Sequence, residues 1–120
     1  MTQNIVNQYK ITFINKVSKK DKTITKIPNS INDTLSVFLF NWNSDEINEI
    51  LLPDIDKALS NINSEIENGS ETISILIYQD KVDFYDDDGF AYQISTKDFK
   101  EIVIGWRDFL LTPPLSGTKV

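Results

Sequence analysis

The chain has 120 residues, 40% of them hydrophobic and 25% charged, a composition that suits one globular domain with a core of its own. With no cysteine and no histidine, it offers no disulfide framework, thiolate nucleophile, Cys/His zinc site or histidine general base. The net charge of −6 is unevenly spread: residues 1–43 carry six lysines and two acids, residues 44–90 two lysines and thirteen acids, and residues 91–120 are nearly balanced. Such an anionic middle segment repels nucleic acid and anionic membranes and steers a basic protein partner inward, so neither nucleic acid nor membrane is an expected partner.

The start, "MTQNIVNQYK", has neither the basic nor the apolar region of a secretory signal, and no apolar run approaches the roughly 20 residues of a membrane span. A cytoplasmic location is the expectation. After this short polar lead, "YKITFINKV" and "TITKI" flank the polar "SKKDK" and predict a hairpin. "TLSVFLFNW" follows, with Leu35, Val37 and Leu39 on one side and Phe38, Phe40 and Trp42 on the other, which reads as a central strand covered on both faces. "SDEINEI" predicts a helix start capped by Ser44, and Pro53 opens a second helix. Ile55, Leu59, Ile62 and Ile66 then recur at spacings of 4, 3 and 4 until Gly69, one buried stripe with Asp54, Asp56, Asn61, Glu65 and Glu67 on the solvated side.

"ETISILIYQ" predicts a strand with Ile73, Ile75 and Ile77 on one face and Leu76 and Tyr78 on the other. A tight turn at Gln79 and Asp80 leads into "KVDFYD", and the Asp-Gly pair of "DDG" turns the chain into "FAYQI". Thr96 caps a last helix whose stripe is Phe99, Ile102, Val103, Trp106 and Leu110, with Arg107 pointing away from it to pair with an acid. Trp106 is expected in the core. Pro113 and Pro114 stop the helix, and residues 113–120 read as a frayed tail. The order β-β-β-α-β-β-β-α predicts a single α+β domain, residues 1–120, with an antiparallel sheet of about six strands and two main helices packed on it.

The aspartates at 83, 86, 87 and 88 invite several chemistries. A calcium loop aligned on Gly89 would place Phe84 at its first ligand position and Ser95 at its twelfth, so the pattern fails at both ends. Acid/base catalysis needs a desolvated carboxylate in a pocket, whereas these residues flank a hairpin tip expected to be wet. The chain has no Gly-rich phosphate loop. No catalytic residue, cofactor or metal is therefore expected, and the chain does not read as an enzyme. Asp88-Gly89 is what a tight hairpin demands. If the loop closes through residues 87–89, alternation sets Asp83 and Tyr85 beside Ala91 and Gln93, away from Val82, Phe84, Phe90, Tyr92 and Ile94. A tyrosine among carboxylates suits a partner rich in Lys or Arg, unless a helix covers that face and Tyr85 is core. Candidate partner-binding residues are thus Asp83, Tyr85, Asp86 and Asp87, with Asp54, Asp56 and Glu65 as a competing patch on the helix.

Residues 73–111, "ISILIYQDKVDFYDDDGFAYQISTKDFKEIVIGWRDFLL", resemble the C-terminal half of small immunity proteins of bacterial contact-dependent growth inhibition and related polymorphic toxin systems. The shared features are an aliphatic strand, a short acidic "YDDD" hairpin and an amphipathic helix carrying "W-R-D-F-L". The resemblance implies a cytoplasmic antidote that binds a cognate C-terminal toxin domain, often a nuclease, with an RNase ranked ahead of a DNase, and occludes its active site. Such families diversify where they touch their toxins, so no contact residue is carried over. A nuclease site is electropositive because it holds phosphates, and an acidic inhibitor face complements it. A noncatalytic acidic adaptor or subunit for another basic partner is the alternative. The oligomeric state is left open by the sequence.

Overall fold

In the computed structural model of the chain, which describes residues 1–114, the elements begin with α1 (Gln3–Tyr9), β1 (Thr12–Val17), β2 (Ile24–Asn29) and α2 (Asp33–Phe40). Next come α3 (Ser44–Glu46), a π-helical turn (Ile47–Leu51) and α4 (Leu52–Leu59). The remainder is β3 (Ile66–Gly69), β4 (Ser74–Ile77), β5 (Lys81–Asp86), β6 (Gly89–Ser95) and α5 (Thr96–Leu110). Strands β1 and β2 form their own antiparallel pair, and β3-β4-β5-β6 form a four-stranded antiparallel sheet in chain order. The α+β class and the six strands agree with the sequence reading, but the strands divide between two sheets and their membership differs. Of the expected tail, residues 115–120 lie outside the described residues; Pro113 and Pro114 are exposed beyond α5.

The "TLSVFLFNW" segment is helix α2 and its exit, not a central strand. Leu35, Phe38, Leu39 and Trp42 are buried, at the i, i+3, i+4, i+7 spacing of a helix face, while Phe40 is 51% exposed. A strand would have buried Phe40 together with Phe38. Asn32 starts the helix, its side chain accepting from the Leu35 N–H at 3.1 Å. The polar lead is also helical: Thr2 caps α1, Ile5 and Tyr9 are its buried pair at spacing 4, and Lys10 ends it in a left-handed conformation at φ 51°.

The two helices expected around Pro53 are one continuous run, α3 through α4, capped by a reciprocal Asn43/Glu46 box rather than by Ser44. Pro53 has no N–H to donate and its ring crowds the carbonyl four residues back, and the wider π turn just before it absorbs both demands. The run stops at Leu59 instead of continuing to Gly69. Asn61 accepts from the Asn63 N–H at 2.9 Å, a local turn that competes with helix. Ile62 is consequently 78% exposed and Ile66 begins a strand.

Helix α5 begins one residue early, with Ser95 as cap accepting from the Asp98 N–H at 3.2 Å, and Thr96 is buried, donating to the Tyr78 carbonyl at 2.7 Å. Phe109, not Leu110, completes the buried stripe. Trp106 is core, as expected, and Arg107 pairs with Asp108 at 3.1 Å while donating to Asn48 at 3.0 Å. Phe38 of α2, Phe84 of β5 and Phe99 of α5 meet with ring centroids 5.5–5.8 Å apart. At the other end of α5, Phe13 packs edge-on against Trp106 at 5.1 Å and joins the β1–β2 pair to the same core. Among the described residues no helix is long and apolar enough to cross a membrane.

Helix α1 is tied to α5 by the buried Tyr9 hydroxyl, which donates to Asp98 at 2.5 Å. Burial first, and then the Asp98 carboxylate that accepts its proton, push the Tyr9 phenol well above its ordinary value.

Two outcomes follow from these contacts. Urea unfolding of Phe38→Ala should show a loss of about 3–5 kcal/mol, whereas Phe40→Ser should change stability by about 0.5 kcal/mol or less, the contrast a strand at this position would not produce. Tyr9→Phe should cost about 1.5–3 kcal/mol at neutral pH. The native phenol resists ionisation while the unfolded one ionises near pH 10, so wild-type stability falls as pH rises through about 10, and Tyr9→Phe should lack that part of the loss.

Candidate functional site

Alternation divides the four-stranded sheet into a covered and an uncovered face. Ile75, Ile77, Val82, Phe84 and Ile94 are buried on the side where α2, α4 and α5 pack. Among the described residues no other element packs on the opposite side. Its rows follow from the register: Glu67 of β3, Leu76 of β4, Asp83 of β5 and Gln93 of β6 lie side by side across all four strands. Ser74, Tyr85 and Phe90 form the row nearer the β5–β6 tip. Tyr78, Lys81 and Glu65 gather at the opposite end, where the Tyr78 N–H closes the β4–β5 turn on the Lys81 carbonyl at 2.8 Å. The Tyr78 hydroxyl donates to Glu65 at 3.4 Å. A shallow groove of about 300 Å³ crosses this face between Glu67, Ser74, Leu76 and Tyr85.

Asp83 and Tyr85 share this face, as alternation predicts, and Tyr85 is half-buried rather than core. Asp83 is not bathed in water: it is 7% exposed, and one carboxylate oxygen accepts from Gln93 Nε2 at 2.8 Å. Its other oxygen lies 3.9 Å from Lys81 Nζ. The loop closes on the pair Asp86 and Gly89, leaving Asp87 and Asp88 as the two turn residues, with Gly89 at φ 108°. Asp86, Asp87 and Asp88 are exposed at the rim, and Asp86 accepts from the Asp88 N–H at 2.8 Å, so one of the three is occupied by turn formation.

Phe90 was expected on the core face and lies on the outer one. The register shifts between Phe84 and Tyr85, so Tyr85 opposes Phe90 instead of Ala91 and their rings meet edge to face at 5.9 Å. Phe90 is 60% exposed as a result.

The competing patch is divided by the structure. Glu65 leaves the helix and joins Tyr78 on the open sheet face. Asp54 and Asp56 stay on α4, where Asp54 accepts from Asn68 at 2.8 Å and Asp56 pairs with Lys100 of α5 at 2.6 Å. Both are committed to contacts within the chain. Gln93 lies beside Asp83 as alternation predicts, while Leu76, Tyr78, Lys81 and Glu67 are members of the face that the sequence reading did not name among the contact residues. Their signal was present in the alternation of β4, which sets Leu76 and Tyr78 opposite the buried isoleucines.

Partial burial, followed by the charge of Glu65 and the neighbouring Tyr85 and Asp83, raises the Tyr78 phenol above its ordinary value. The ring therefore stays neutral and serves as an aromatic surface with an acceptor-rich border. Among the described residues no three carboxylates converge as a metal site would require. Chemically the face sets the half-buried side chains of Leu76, Tyr78 and Tyr85 among polar and acidic ones, with Asp86, Asp87 and Asp88 at its rim. Comparison with family models, with curated proteins and with solved structures finds no match to this chain.

The different settings of the aspartates have a measurable consequence. Asp83→Ala, which removes the bond from Gln93 and leaves that exposed amide to water, should lower stability by about 0.5–1.5 kcal/mol, while Asp86→Asn/Asp87→Asn should stay closer to wild type in chemical denaturation.

Proposed function

We propose that the chain is a noncatalytic inhibitor of the immunity type, acting in the cytoplasm by binding a basic toxin domain, a nuclease and an RNase ahead of a DNase, through the open face of its four-stranded sheet. The observation that carries this reading is the uncovered face itself. Tyr78, Tyr85, Phe90 and Leu76 stand there with no helix or second sheet over them among the described residues, bordered by Glu65, Glu67, Asp83, Asp86 and Asp87. An aromatic centre supplies contact area at little cost in side-chain entropy, and the acidic border complements a site built to hold phosphates. The resemblance of residues 73–111 to immunity proteins points the same way. Asp54 and Asp56, already held by Asn68 and Lys100, are assigned no part in it.

The test is co-purification with the C-terminal domain encoded by the neighbouring gene, followed by a nuclease assay of that domain with and without the chain. Stoichiometric loss of nuclease activity is expected; binding without inhibition would favour an adaptor instead. Association should slow steeply as salt rises, because exposed charges farther apart than the roughly 8 Å screening length at physiological ionic strength barely interact. Glu65→Gln/Asp86→Asn/Asp87→Asn should mainly lower the on-rate. Tyr85→Ala should instead raise the off-rate, at a cost of about 2 kcal/mol if it is an anchor. Asp54→Asn/Asp56→Asn should leave both rates unchanged, and a large loss there with none at the sheet face would relocate the contact to α4.

A further inference from the structure

Among the described residues Lys81 is the one cation on strands β3–β6, and it lies on the open face beside Tyr78 and Asp83. Its Nζ lies 5.2 Å from the centroid of the Tyr78 ring and 3.9 Å from the Asp83 carboxylate. The Asp83 oxygen facing it accepts no hydrogen bond within the described residues, whereas the other is held by Gln93. A largely buried carboxylate with one oxygen held by Gln93 and the other still reachable from solvent, sharing its cation with an aromatic ring, is a cation receptor whose occupant is poorly fitted. An ammonium 3.9 Å away fills the charge requirement without making the short bond that the oxygen lacks.

We infer that Tyr78 and Asp83 form a receptor for one arginine side chain of the basic partner, and that Lys81 is its placeholder in the free chain. This rests on the partner-binding reading of the same face and adds to it a ligand group and a displacement step. A planar guanidinium stacks on a tyrosine ring and reaches a carboxylate with directed N–H donors, which a point-like ammonium on a flexible stem does less well. Lys81 is short of these contacts and its side chain is 43% exposed, so it swings into water at little cost when an arginine enters. Gln93 keeps the Asp83 carboxylate oriented throughout.

The probe is a hexa-arginine peptide titrated at low salt into the wild-type chain and variants, following the Gln93 side-chain amide by NMR. Thermal unfolding of each variant first establishes that it is folded. Lys81→Met should tighten binding by roughly three- to tenfold, because it vacates the receptor. Lys57→Met, which removes the same charge from exposed α4, should change it by less than about twofold. Tyr78→Leu and Asp83→Asn should each cancel the gain when combined with Lys81→Met, and hexalysine should bind more weakly than hexa-arginine. Equal gains from Lys81→Met and Lys57→Met would overturn the placeholder while leaving an acidic binding face in place. Binding that leaves the Gln93 amide unmoved would overturn the receptor. If Glu65→Gln/Asp86→Asn/Asp87→Asn also binds the peptide as wild type does, or if no variant binds it, the open face is not the contact surface and both readings fall.

Discussion

The contact of Phe38 with Phe84 and Phe99 decides the rest of the architecture. It joins α2, β5 and α5, three elements far apart in sequence, at ring distances of 5.5–5.8 Å. Both helices must lie on the same side of the sheet for the three rings to meet. Helix α4, whose Ile55 and Ala58 are buried, packs against that side too, next to β4 and α5. One layer of helix on one layer of sheet already closes a core of this size, and among the described residues no further element packs on the second face. The outward positions of β4, β5 and β6 are therefore free of the requirement to pack, and what stands there answers to other demands.

The legible parts of the fold were those with punctuation. Both strand pairs joined by short polar or Asp-rich turns, and the stripe of α5 up to Trp106, followed from alternation, turn chemistry and helical period. Helix α2 was misread because "TLSVFLFNW" is apolar nearly throughout, so period 2 and period 3.6 both find matches in it. The discriminating signal was outside the run, in the capping side chain of Asn32. Ile62 and Ile66 continue the α4 period by coincidence, and the local turn at Asn61 and Asn63 overrides it. Of the site, the shared face of Asp83 and Tyr85 was legible from alternation alone. The arrival of Phe90 was not, because a one-residue shift in pairing leaves no mark in composition.

Net charge proves a coarse guide to where charge acts. The acids of residues 44–90 serve at least three purposes: Glu46 closes a helix cap, Asp54 and Asp56 bond across the helical layer and its neighbour, and Asp86 shapes a turn. Those remaining on the sheet face and its rim are fewer, and they stand near the half-buried rings of Tyr78 and Tyr85 and the exposed ring of Phe90. A field of one sign over a low-polarity centre attracts from a distance and then offers area on contact, which the same charges scattered over a hydrophilic surface do not. Lys81 interrupts that field at the position where the carboxylate is most buried.

The register shift beside Tyr85 has a consequence for how such a surface changes over generations. By turning Phe90 outward, it removes the hairpin tip from the jigsaw of the core, whose nearest ring is Phe84 one position earlier. Residues 85–90 thus form a short, nearly autonomous stretch in which side chains can be exchanged without a matching change in α2 or α5. Core positions and outward positions that alternate along the same strands are in this way given separate mutational fates.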